Sequence, residues 1–220
     1  KALEKEYHWY MPMPWKGDSW RLRDNIDYQE TGVLLSLELT AQEKDTVLEH
    51  FYLKGKEAVA AGKNQAPYAY LIPAGQGDPA AVADLVSNLL QHRIEVQQAT
   101  AAFTVEGKSY PAGTYVVLLN QPYRNLAKTL FEVQEYQDYF NEPYDVTAWT
   151  YGLIRDVDTV AVGDKSIWKV GLEPVVAVNL SGSLNGGESA LGYLVEHKSN
   201  NNAARLLNAL WEQGVSIQQA

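Results

Sequence analysis

The strongest constraint in this chain is a unit that occurs nearly twice. Residues 67–99 read PYAYLIPAGQGDPAAVADLVSNLLQHRIEVQQA, and residues 191–220 read LGYLVEHKSNNNAARLLNALWEQGVSIQQA. Each copy runs from an aromatic and apolar strand through a polar loop into an Ala/Leu-rich helix, then closes on a strand ending Gln-Gln-Ala. A repeat of this size bears on architecture before any single residue does. Strand, helix, strand is a βαβ half-turn, so the pattern predicts an α/β fold with a parallel sheet and flanking helices.

In the first copy, residues 69–73 are predicted as a short buried strand. Asp78-Pro79 is a helix start, because the carboxylate caps free amides and proline suits the first helical position. Val82, Leu85, Val86, Leu89 and Leu90 form an inward stripe at helical spacing. Residues 94–98 are the next predicted strand. Residues 102–110 read as a hairpin turning at Glu106-Gly107-Lys108, 114–119 as a β-branched strand, and 121–131 as a short helix starting near Pro122. Residues 159–162 and 175–178 also read as strands. In the second copy Ser199 is the predicted cap, 200–213 the helix and Gly214 its stop.

Ahead of this unit, residues 1–30, with Trp9, Tyr10, Pro12, Pro14, Trp15 and Trp20, suggest an extended segment lying on another surface. Residues 31–61 then read as one long amphipathic helix, with Gly62 as its stop. Residues 132–157 form a long aromatic and acidic connection of the kind that serves function or packs on a neighbour. The expected division is residues 1–65 as a closing helix or linker, and 66–220 as the α/β domain. A start without Met and an end directly after a strand suggest a piece of a longer protein.

Composition removes several classes of function. The net charge of −9 and pI near 4.9 disfavour nucleic acid and anionic membranes, which call for a basic face. There is no cysteine, hence no disulfide, thiolate zinc site or cysteine nucleophile in this sequence. No apolar run approaches the roughly 20 residues of a membrane span.

The remaining chemistry is sparse. Gly75-Gln76-Gly77 follows a strand and opens a helix, but the third glycine of a dinucleotide fingerprint is replaced by Ala80, so a tight turn is expected. Ser181 and Ser183 sit in the loop LSGSLNGG, which is not a nucleophile elbow. His8, His50, His92 and His197 show no zinc-ligand spacing. His197 follows the strand of the second unit, at the edge where doubly wound sheets bind ligands. Together with Ser181 and Ser183 it is the ligand-site candidate, and a hydrolase built on His197 and one of these serines can be drawn. Asp156 and Asp158 would point the same way on a strand. No catalytic or metal-binding set is assigned.

One likeness extends across much of the chain. Residues 9–72, followed by DPAAVADLVSNLLQHRIEVQQA, FTVEGKSYPAGTYVVLLNQPYRNLAKTLFE and PYDVTAW, resemble the region after the catalytic core in large bacterial zinc carboxypeptidase-like proteins of the M14 peptidase family. The resemblance covers most of residues 9–151 and loosens beyond. It implies a flavodoxin-like domain similar to class I glutamine amidotransferases. It also implies a parent that hydrolyses C-terminal peptide bonds, with zinc ligands and general-base Glu outside this chain. The expected partners are the parent's own catalytic domain and its peptide substrate, and the expected location is secreted or periplasmic. The amidotransferase family's cysteine nucleophile has no counterpart here. The expected function is a non-catalytic accessory region; the alternative is a saccharide- or peptide-binding module using Tyr144 and Trp149.

Overall fold

A computed structural model describes residues 19–134, 149–180, 186, 192–195 and 201–218. Residues 1–18 of the extended segment expected at 1–30, most of the connection expected at 132–157 and the cap expected at Ser199 lie outside the described residues; residues 22–30 are helical instead of extended. The chain divides into two compact units, Lys1–Tyr52 and Leu53–Ala220.

Two helices lead. α1 spans Leu22–Gln42 and α2 spans Lys44–Asn64, so α2 carries the boundary between the units. The sequence predicts one helix from residue 31; the structure starts it at Leu22 and interrupts it at Glu43 (φ −99°, ψ 26°). The start is set by Asp24, whose carboxylate accepts from the Arg21 amide at 2.7 Å and ties down the first turn. Gly62 is not the stop. It is buried inside α2, and a Cβ there would collide with the Leu119 carbonyl and the Asn120 amide nitrogen. This glycine is required by the close approach of helix to backbone, not by a turn.

The second unit is built on a five-stranded sheet in the order β6-β1-β5-β2-β7. The strands are β1 Ala69–Ile72, β2 Gln97–Ala99, β5 Tyr115–Leu118, β6 Val160–Val162 and β7 Leu172–Pro174. Every neighbouring pair is antiparallel, which overturns the predicted parallel, flavodoxin-like sheet. The reason lies in β5. β1 and β2 run the same way, as a βαβ unit requires, but both pair with β5, which is inserted between them in the opposite sense. The chain leaves β2, makes the separate hairpin β3 (Phe103–Val105) and β4 (Lys108–Tyr110), and returns beside its starting point. Ala99 and Thr114 are joined there by an amide-to-carbonyl bond of 2.9 Å, and Gly113 donates back to Ala99 at 2.8 Å. A strand that returns beside its predecessor must be antiparallel to it.

α3 (Pro79–Gln91) links β1 to β2 and starts as its sequence dictates. The Asp78 carboxylate accepts from the amides of Ala80 at 2.9 Å and Ala81 at 3.0 Å, and Pro79 follows the cap. Val82, Leu85, Val86 and Leu89 are buried against Tyr70, Ile72, Val96 and Val117 on one face of the sheet. α4 (Arg124–Phe131) packs on that face through Ala127, Leu130 and Phe131, whose ring stacks on Tyr70 at 4.8 Å. α5 (Tyr151–Arg155) packs against α3 and α4. The alternate residues Ala69, Leu71 and Val116 point to the opposite face. There they meet Val105 and Tyr110 of the hairpin and Ile167 of a 3-10 helix at Lys165–Lys169. Each fully buried aliphatic side chain contributes roughly 1.5–3 kcal/mol, so these two layers hold the unit together.

The second copy of the repeat keeps only its helix among the described residues. α6 spans Asn201–Glu212 and ends at Gly214 (φ 73°), with the Val215 amide donating to Leu210 at 3.0 Å. Residues 192–195 and 215–218 are not strands. The strand predicted at 175–178 is likewise absent; the pairing segment is β7 just before it, and the Val175 amide only closes the ladder onto Val96 at 2.9 Å.

Candidate interaction surface

Ser181, Ser183, His197 and Tyr144 lie outside the described residues. The other polar candidates are bound into the framework. The Gln76 side chain clamps the Asp158 backbone, accepting from its amide at 2.7 Å and donating to its carbonyl at 3.0 Å. With Gln76 filling the loop and Asp78 occupying the amides of Ala80 and Ala81, the glycine turn at 75–77 is committed to holding α3. Asp156 and Asp158 are not on a strand. Asp156 caps α5 in a left-handed conformation (φ 52°), and Asp158 is held through its backbone by Gln76. His92 is the C-cap of α3, with its amide on the Asn88 carbonyl at 3.1 Å. Among the described residues no group of three His, Cys, Asp or Glu is placed to hold a metal ion. They offer no ligand set for zinc.

Trp149, half-buried before α5, has an Nε1 shut off from solvent without an acceptor among the described residues. Burial pushes the Tyr70 phenol above its ordinary 10.0; Glu132 adds to that rise and Arg124 opposes it. Burial also raises Tyr110, with Glu106 contributing. Two shallow grooves mark the second unit. One of about 370 Å³ is lined by Phe103, Thr104, Ser166 and Lys169, and one of about 460 Å³ by Leu90, Arg93 and Val176. Neither lining pairs a nucleophile with a base.

The conspicuous surface belongs to the first unit. α1 has no buried residue. Leu22, Ile26, Val33 and Leu37 fall within about 60° of one another around the helix axis, forming one apolar stripe, and all are exposed. Leu34, Leu35 and Leu39 lie on other sides and are exposed as well. The display continues into α2, where Phe51 is 70% exposed. A helix that is apolar around much of its circumference is normally buried, and a contiguous exposed apolar surface of this kind marks an interaction site. The sequence predicts the apolar helix; that it has no cover among the described residues is visible only in the structure.

No family model, no curated protein and no solved structure matches this chain. No helix among the described residues is long and apolar enough to cross a membrane.

Proposed function

We propose that this chain is a non-catalytic accessory region of a zinc metallocarboxypeptidase, and that α1 docks on the parent's catalytic domain. The observation that carries the docking is α1 itself, a helix of 21 residues with none buried and an apolar stripe from Leu22 to Leu37. The identity of the parent rests on the sequence resemblance across residues 9–151. The zinc ligands and the general base belong, on this reading, to the catalytic domain. This chain supplies a sheet domain and a helical arm that fix its position.

The test is to produce the parent's catalytic region separately and titrate it with this chain by calorimetry. The reading predicts saturable binding that charges placed on the apolar stripe disrupt. Val33→Asp with Leu37→Asp should lower affinity by about tenfold or more. Zinc should travel with the catalytic region and not with this chain. Absence of binding, or binding indifferent to the two aspartates, contradicts the docking; stoichiometric zinc on this chain contradicts the assignment of roles.

A further inference from the structure

A second feature is independent of the helical arm. Arg124 is the first residue of α4 and only 7% exposed. Among the described residues its Nε is buried without a partner, and its guanidinium makes one side-chain bond, from Nη1 to Asn125 Oδ1 at 3.2 Å. Among the described residues the ion pairs are Arg23 with Asp27 and Lys128 with Glu132, so no carboxylate there answers Arg124. A buried cation without a counter-charge is costly.

Its position makes the imbalance worse. Helical side chains lean toward the N-terminus, and the bond to Asn125 holds the guanidinium beside the first turn of α4. That end carries the positive pole of the helix, where cations are disfavoured. It has no side-chain cap and no acidic residue in its first turn. Two positive features therefore converge, and among the described residues no carboxylate forms an ion pair with the guanidinium. Pro122, Tyr123 and Asn125 around the turn are exposed, so the turn opens to solvent.

We propose that the N-terminal turn of α4 and the Arg124 guanidinium form a binding site for an oxyanion, a carboxylate or a phosphate group. Backbone amides at a helix N-terminus and a guanidinium fork both match such oxygens. The group is supplied from outside the described framework, as a free phosphorylated or carboxylic compound.

The test follows thermal unfolding of the whole chain in sodium phosphate, sodium acetate and sodium chloride at matched ionic strength. Phosphate or acetate should raise the midpoint saturably, by roughly 3–6 °C at ten times the dissociation constant; which of the two acts at lower concentration separates phosphate from carboxylate recognition. Arg124→Gln should abolish the rise, whereas Lys128→Gln, in the same helix, should retain it. Should Arg124→Gln not fold, amide NMR of the unaltered chain decides instead, with phosphate or acetate shifting Asn125 and Leu126 before other residues. The proposal is overturned if neither anion gives a saturable rise over chloride, if Arg124→Gln rises equally, or if the shifted amides lie elsewhere.

Discussion

α1 and α3 are both regular helices with several leucines, and they meet opposite fates. α3 buries Val82, Ala83, Leu85, Val86 and Leu89, while α1 buries nothing. The difference is not helix propensity. It lies in what each helix is tied to. α3 is fixed at its start by Asp78 and lies between two strands of the sheet whose face it covers. α1 is fixed by local bonds, the Asp24 carboxylate to the Arg21 amide and the exposed pair of Arg23 and Asp27 at 2.8 Å. Tertiary packing provides most of a helix's stability in proteins, so α1 has the composition of a packed helix without the packing.

Substitutions sharpen that contrast. Leu85→Ala removes a fully buried side chain and should cost about 2–5 kcal/mol in denaturant unfolding, whereas Leu35→Ala should stay within about 0.5 kcal/mol. Equal effects would break the comparison. Two glycines make the same point. Gly62→Ala drives a Cβ into the Leu119 carbonyl and should cost about 1–3 kcal/mol or more. Gly32→Ala, with nothing within 4 Å of its Cβ, should stabilise α1 by about 0.5–1 kcal/mol, read as increased helicity by circular dichroism. The cap is of comparable size. Asp78→Ala frees the amides of Ala80 and Ala81 and should lower stability by about 1 kcal/mol.

The smallest effect is on pH dependence. Burial raises the Tyr70 phenol above 10.0, so its neutral form is favoured in the folded state. That contribution is complete below pH 10 and is lost as pH rises through the higher folded value. Tyr70→Phe should therefore flatten the alkaline fall of the melting temperature. An unchanged alkaline limb would show that Tyr70 does not contribute to it.

Local order was legible in the sequence at several places where a local cause set it, although the start of α1 at Arg21 and Asp24 was not read. Asp78-Pro79 marks the start of α3, and Glu106-Gly107, both at positive φ (51° and 74°), marks the turn between β3 and β4. Strand partnership was not legible. The β-branched, apolar run of residues 114–119 says that β5 is a strand, but nothing in it says that β5 will enter between β1 and β2 and turn a βαβ reading into an antiparallel sheet. Gly62 read as a helix stop because its neighbour across space, Leu119, is far away in sequence. The apolar character of residues 31–61 was visible, but exposure is a property of the assembled chain. Arg124 had no signal at all: an arginine becomes informative only when its burial and missing counter-charge are seen.

The most direct measurement is amide hydrogen exchange on the chain alone, comparing residues 34–39 in α1 with residues 85–89 in α3. Exchange reports local opening, from near zero for unpacked segments to the full unfolding free energy in the core. The account predicts that α1 exchanges roughly 100-fold faster than α3 or more, and gains protection when the parent's catalytic region is added. Equal protection of the two helices in the isolated chain would show that α1 is already packed, and would contradict the account.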